Sequence, residues 1–148
     1  MSSLADPRSY DLDDVRRRVL HERGGEVDES IPELAATDPD LVALALVTVD
    51  GDVNASDRAD VRVSIQSAVK PFLFALALQD TGGDALDRVG IEPTGEAFDA
   101  IKLESGTGRP PNPMVNAGAL LTASLVDGAD AAGRAARILA GLSAFAGR

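Results

Sequence analysis

The stretch 64–71, SIQSAVKP, sets Ser67 and Lys70 three residues apart at the head of the apolar run FLFALAL, 72–78. One helical turn brings positions i and i+3 onto the same face. Pro71 fits a helix only in its first turn, where its missing N–H is not needed. The predicted helix, 67–79, therefore begins close to Ser67, with Phe72, Leu73, Leu76 and Ala77 inward and Thr81-Gly82-Gly83 as its stop. The Ser67 hydroxyl then lies at a helix N-terminus, where free N–H groups and the dipole favour developing negative charge. Val61 to Ile65 reads as a strand feeding this segment. Strand, serine and helix in that order expose a hydroxyl at a sheet edge, as in other nucleophile turns. The fold class implied is α/β, a small antiparallel sheet with packed helices.

Serine and lysine at this spacing suit a serine nucleophile with a lysine proton acceptor, as in acyl-enzyme hydrolases. A neutral Lys70, buried against Phe72, Leu73 or Phe74, takes the Ser67 proton during attack. The Ser67 backbone N–H supplies one donor of an oxyanion hole. The plainer alternative makes Ser67 an N-cap and Lys70 a solvated first-turn residue. A lysine there opposes the helix dipole, so that alternative brings no local benefit. The spacing alone is weak, since it arises by chance on the order of once in a chain of this size.

NPMVNAGA, 112–119, adds two amides in a proline-bounded turn entering a helix. An amide carries donor and acceptor, which suits a ligand bearing both amine and carboxylate. Asn112 otherwise reads as a helix cap, and Asn116 as the partner of a backbone group. Gln66, beside Ser67, is placed to touch a substrate or is an ordinary strand-end residue.

The rest of the 148-residue chain bounds the function. Its net charge of −10 disfavours nucleic acid and anionic membrane surfaces as partners. Only two lysines occur, Lys70 and Lys102, a composition that fits either a high-salt cell or biased codon usage. With no cysteine there is no disulfide, thiolate metal site or cysteine nucleophile. With His21 as the single histidine, a Ser-His-Asp triad and a His-rich metal site are disfavoured. Asp50, Asp52, Asp57 and Asp60 lack calcium-loop spacing, and no cofactor is expected. The N-terminus lacks a secretory pattern and no apolar run is long enough to span a bilayer, so the expected location is cytoplasmic.

Along the chain, Asp11 or Asp13 caps a helix with Leu12, Val15 and Val19 on one face, ended by Gly24-Gly25. Ser30, Pro32 and Glu33 start a short helix, 31–36, with Ser30 as cap. LVALALVTV, 41–49, followed by Asp50-Gly51, signals a hairpin whose return strand takes in Val53. Residues 90–113 are irregular, held extended by Pro110, Pro111 and Pro113, with Glu92-Pro93-Thr94-Gly95 as a tight turn. Apolar helices follow at about 114–126 and 130–146.

Taken together, GGEVDESIPELA (24–35), LVTVDGD (46–52), SIQSAVKP (64–71), VGIEPTGEAFD (89–99) and GRPPNPMVNAGAL (108–120) resemble the serine-dependent glutaminase family. The resemblance runs from about residue 24 to about 142. It implies a β-lactamase/penicillin-binding-protein-like fold and hydrolysis of L-glutamine to L-glutamate and ammonia. Position by position, Ser67 matches the nucleophile, Lys70 its partner, Gln66 a pocket residue and Asn116 a substrate-binding residue. Asn112 belongs to the motif but is not expected to touch substrate. NPMVNAGA and EPTG argue against a β-lactamase. Two departures stand out: Ser30 where the family often has tyrosine, and Val42-Ala43 where it has Trp-Gly.

The family's catalytic domain is about twice this length, as a complete two-layer core needs. The expected organisation is a polar N-terminal segment and helix, 1–23, then the N-terminal portion of the domain, 24–148, with the C-terminal half missing. That half carries a glutamate, an asparagine, two tyrosines and an oxyanion donor. A family tyrosine that assists proton transfer has no counterpart, Tyr10 being the only tyrosine. The isolated chain is thus expected to be unstable or inactive. The expected partners are further copies in a dimer or tetramer, or a complementing glutaminase chain. The alternative is a non-catalytic truncated homologue that associates with one.

Overall fold

A computed structural model of the chain describes residues 6–22 and 24–148. The remaining six positions of the expected N-terminal segment, residues 1–5 and 23, lie outside the described residues. The chain forms two compact units, divided between Ser64 and Ile65.

In the first unit, Asp6 caps a single 3-10 turn, Pro7–Ser9. The Asp11 carboxylate accepts the Asp14 N–H at 2.9 Å and starts helix α1, Leu12–Val19. α1 ends at Val19, well before Gly24-Gly25, with the Leu20 N–H on the Arg16 carbonyl. Leu12 alone of that stripe is buried. The helix is held largely by polar links: Arg16 Nε donates to the Val42 carbonyl at 2.7 Å, and Asp13 accepts the Asp57 N–H at 2.8 Å. Helix α2, Pro32–Ala35, is one turn, shorter than expected, with Pro32 at its start. Ser30 is not its cap: Ile31 holds that position, and the Ser30 N–H is taken by Asp28 at 2.8 Å.

The hairpin forms where Asp50-Gly51 predicts it. Strand β1, Ala45–Val47, pairs antiparallel with β2, Val53–Ala55, in the register Ala45 to Ala55 and Val47 to Val53. The turn closes through the Thr48 N–H on the Asp52 carbonyl and the Gly51 N–H on the Thr48 carbonyl, at 2.9 and 3.0 Å. Gly51 has φ +90°, a conformation that suits glycine. The expected strand at 61–65 is absent. A strand exists only as a ladder, and the described sheet contains β1 and β2 alone. The β propensity of Val61, Val63 and Ile65 is local; the pairing it requires is not.

In the second unit a 3-10 turn, Gln66–Val69, runs directly into helix α3, Lys70–Thr81, which Gly82 stops at φ +62°. A short helix α4, Asp84–Arg88, follows, unanticipated in the sequence. Helices α5, Asn116–Leu125, and α6, Ala131–Phe145, occupy the two expected C-terminal spans, and Asp130 caps α6 on the Gly133 N–H at 2.8 Å. α3 packs against α5 and α6. Leu76 and Ala77 of α3 meet Val126 in the core, with Leu125 and Ile138 against them. Leu73 is buried as expected, but Phe72 is 38% exposed and pairs with Phe145, ring centroids 5.3 Å apart.

The segment 90–113 has no helix or strand, as its prolines predict. The Gly90 and Glu92 N–H groups donate to the Pro110 and Pro111 carbonyls at 2.8 and 3.0 Å. The tight turn expected at Glu92–Gly95 does not form. The chain bends instead at Gly95-Glu96 and turns at Ala97–Ala100, where the Ala100 N–H reaches the Ala97 carbonyl at 3.0 Å.

Candidate active site

The site begins with one unusual backbone position. Gln66 has φ +49°, the left-handed region that non-glycine residues rarely occupy, at a cost of about 1–3 kcal/mol. It turns the chain into the 3-10 segment, in which the Ser67 carbonyl accepts the Lys70 N–H. A 3-10 turn has three residues per turn, so the side chains at i and i+3 eclipse. Ser67 and Lys70 are thus aligned by a tighter turn than the α-helical one expected. Pro71 follows in the first turn of α3, where an N–H is dispensable.

Lys70 is 8% exposed. Its Nζ donates to the Asn116 side-chain oxygen at 2.7 Å and to the Met114 carbonyl at 3.0 Å. The aromatic ring against the amine is neither Phe72 nor Phe74: Nζ lies over Phe98, 5.4 Å from the ring centroid. Asn116, the first residue of α5, donates its backbone N–H to the Phe98 carbonyl at 2.9 Å.

Asn112 does different work. Its side-chain oxygen accepts the Met114 and Val115 N–H groups at 2.9 and 3.1 Å, and its Nδ2 donates to the Glu92 carbonyl at 2.8 Å. It shapes the turn ahead of α5, whose N-cap is Val115, so it is not the helix cap itself. In doing so it presents the Met114 carbonyl to Lys70.

Gln66, Ser67, Lys70 and Asn116 line one cleft of about 370 Å³, with Leu73 and Leu120 among its apolar walls. The four residues singled out in the sequence therefore come together. Met114 and Phe98 were not singled out. Met114 stands inside the quoted NPMVN motif but acts through its carbonyl, which side-chain chemistry does not reveal. Phe98 sits in an irregular segment without periodicity, and nothing in its spacing points to Lys70.

The glutaminase family model matches residues 25–148. The chain belongs to the glutaminase family. It is 69% identical over 140 residues to a glutaminase of Clavibacter michiganensis subsp. michiganensis, covering 95% of this chain and 43% of that protein. It is 47% identical to a glutaminase of a Nostoc species, covering 86% of this chain and 39% of the relative. Among solved structures, Mglu in its glutamate form matches 93% of this chain with a TM-score of 0.83 at 42% identity, over 32% of its own length. The probable glutaminase ybaS matches 88% of this chain with a TM-score of 0.81 at 37% identity, over 43% of its own length. The chain thus carries a mixed α/β part of the β-lactamase-like fold of these neighbours and spans less than half the length of its relatives.

Proposed function

We propose that this chain supplies the nucleophile half of a glutaminase site. The observation that carries the reading is the common cleft of Gln66, Ser67, Lys70 and Asn116, with the Lys70 amine held by two carbonyl oxygens. In this reading Ser67 Oγ attacks the side-chain carboxamide carbon of L-glutamine while the Lys70 amine takes the hydroxyl proton. A neutral amine has two N–H groups and one lone pair; Met114 and Asn116 accept the N–H groups, and the lone pair takes the proton. Collapse of the tetrahedral intermediate breaks the C–N bond. The leaving nitrogen receives the proton from Lys70 and departs as ammonia. Water then attacks the Ser67 ester while Lys70 takes its proton; the acyl C–Oγ bond breaks, Lys70 returns the proton to Ser67 Oγ, and L-glutamate leaves.

Asn116 has its oxygen committed to Lys70, so its NH2 group is the part offered to the substrate carboxylate. Gln66, lining the same cleft, offers a second amide. The Ser67 backbone N–H contributes one oxyanion donor. The chemistry calls for no metal or cofactor.

The proposed assembly is a homo-oligomer or a pairing with a complementing glutaminase chain, in the cytoplasm. Its support is apolar surface: Leu120, a wall of the cleft, is 73% exposed, and Ile101 and Leu139 are similarly open. Among the described residues no helix is long and apolar enough to cross a membrane.

The test is ammonia release from L-glutamine by the purified chain, alone and mixed with a polypeptide carrying the remaining part of the Clavibacter relative. Turnover is expected in the mixture and not from the chain alone. It should vanish with Ser67→Ala. A complex that forms but releases no ammonia, or that keeps its activity in Ser67→Ala, overturns the reading.

A further inference from the structure

Phe98 makes two contacts within the site, one from its ring and one from its backbone. The ring lies under the Lys70 amine, 5.4 Å from Nζ to the centroid. Its carbonyl accepts the Asn116 N–H at 2.9 Å. That N–H is one of the four at the start of α5 that no intrahelical carbonyl can take. The two residues it touches are themselves joined, since Lys70 Nζ donates to the Asn116 side chain.

Burial does not account for this arrangement. The Phe98 residue is 64% exposed, although the Lys70 it touches is 8% exposed. An aromatic ring left largely in solvent gains little from the hydrophobic effect, but its electron-rich face attracts the N–H groups of an amine and, once that amine takes a proton, its positive charge. The turn at Ala97–Ala100 sets the ring, and the Phe98 carbonyl anchors that turn to the first residue of α5. Moving Phe98 would therefore disturb the amine and the amide together.

We propose that Phe98 is a positioning residue of the Ser67–Lys70 site, fixing the Lys70 amine with its ring and Asn116 with its carbonyl. The kinetic consequence rests on the glutaminase reading above; the contact itself does not.

The chain offers an unusually clean test, because Lys70 and Lys102 are its only lysines. Lysine labelling with carbon-13 at the ε position gives two methylene signals, and Lys102, paired with Glu96, serves as the internal reference. Cross-relaxation between the Phe98 ring protons and the Lys70 ε-methylene is expected in the wild-type chain. Phe98→Leu should remove the ring-current shift of the Lys70 signal, and Phe98→Tyr should retain it. Absence of the cross-relaxation, or an unmoved Lys70 signal in Phe98→Leu, overturns the proposal while leaving the glutaminase reading intact. In the assembled enzyme, Phe98→Leu should lower kcat about two- to fivefold at little-changed KM, with Phe98→Tyr restoring it. A raised KM at unchanged kcat would make Phe98 a substrate-binding residue and overturn the positioning role.

Discussion

The side-chain oxygen of Asn116 accepts the Lys70 amine across 2.7 Å and so ties the first residue of α5 to the first residue of α3. A lysine at a helix N-terminus opposes the helix dipole, and here it faces a second helix start as well. Local helix stability does not explain it. What holds the amine is the pair of oxygens from Asn116 and Met114.

The first prediction follows from that pairing. Asn116→Leu leaves the buried Lys70 amine with one acceptor fewer, and should destabilise the chain by about 1–3 kcal/mol, the cost of a buried donor left unsatisfied. Asn116→Asp keeps an acceptor at the same position and should cost less. Urea unfolding of both variants checks this. Equal stability of Asn116→Leu and wild type would mean the link is not formed in solution.

The glycines of the second unit make a graded series. A Cβ on Gly118 would sit 1.9 Å from the Asn112 carbonyl oxygen, a backbone atom that cannot step aside without moving the turn that presents Met114. On Gly141 it would sit 2.5 Å from a Leu76 methyl, the far end of a flexible side chain. Gly83, at φ −70°, has nothing within 4 Å. Gly118→Ala should therefore lose at least about 1–3 kcal/mol, Gly141→Ala less, and Gly83→Ala should gain a few tenths to about 1 kcal/mol by restricting the unfolded chain. Thermal denaturation ranks the three. Any other order would show that α5 does not seat on Asn112 as described.

How far the sequence was legible depends on how local each cause is. Pro71 after Ser-x-x-Lys and Gly82 after the apolar run fix the ends of α3, because both act within one helical turn. Asp50-Gly51 fixes the hairpin for the same reason. Bringing Asn116 to Lys70 is a long-range event, and the motif resemblance, rather than propensity, pointed to it. The failures are also non-local. Val61–Ile65 needs a ladder partner that no pattern within it supplies. Ser30 is the exception, a local miss: the helix opens at Pro32, so Ile31 holds the cap position, and the Ser30 N–H goes to Asp28 two residues back. Phe98 lies within the VGIEPTGEAFD stretch, but its contact with Lys70 is not legible there, since the ring reaches the amine from an irregular segment tied to the carbonyls of Pro110 and Pro111.

A third prediction concerns pH. The Asp80 side chain is 7% exposed and meets Arg137 at 2.7 Å and the Asp127 N–H at 3.1 Å. Burial pushes its carboxyl up, but the Asp127 N–H and the Arg137 guanidinium together outweigh this and hold it below the usual carboxylate range. A folded-state value below the unfolded one stabilises the fold above the unfolded value, about 3.9, and that contribution is lost as pH falls through the folded value. Asp80→Asn should thus be less stable than wild type near neutral pH, and the gap should shrink below about pH 4. Chemical unfolding of both proteins across pH 2–7 measures the gap. A gap independent of pH would place the role of Asp80 in packing rather than charge.

The last prediction separates the charge of Lys70 from its capacity to accept a proton. Arginine also offers N–H donors to Met114 and Asn116, but it is not deprotonated in proteins. Lys70→Arg should therefore keep most of the stability of the second unit, because both oxygens remain paired. Lys70→Met, of similar length and without donors, leaves both oxygens unpaired and should cost about 1–3 kcal/mol. In an assembled glutaminase both variants should lose turnover by about 10²–10⁴, the usual worth of a positioned proton acceptor. The informative comparison is stability against turnover: arginine divides the two, methionine loses both. Lys70→Arg turnover within about tenfold of wild type would remove Lys70 as proton acceptor. The Ser67 proton would then have to leave by another group, and the two oxygens around Nζ would be structural partners of a cation.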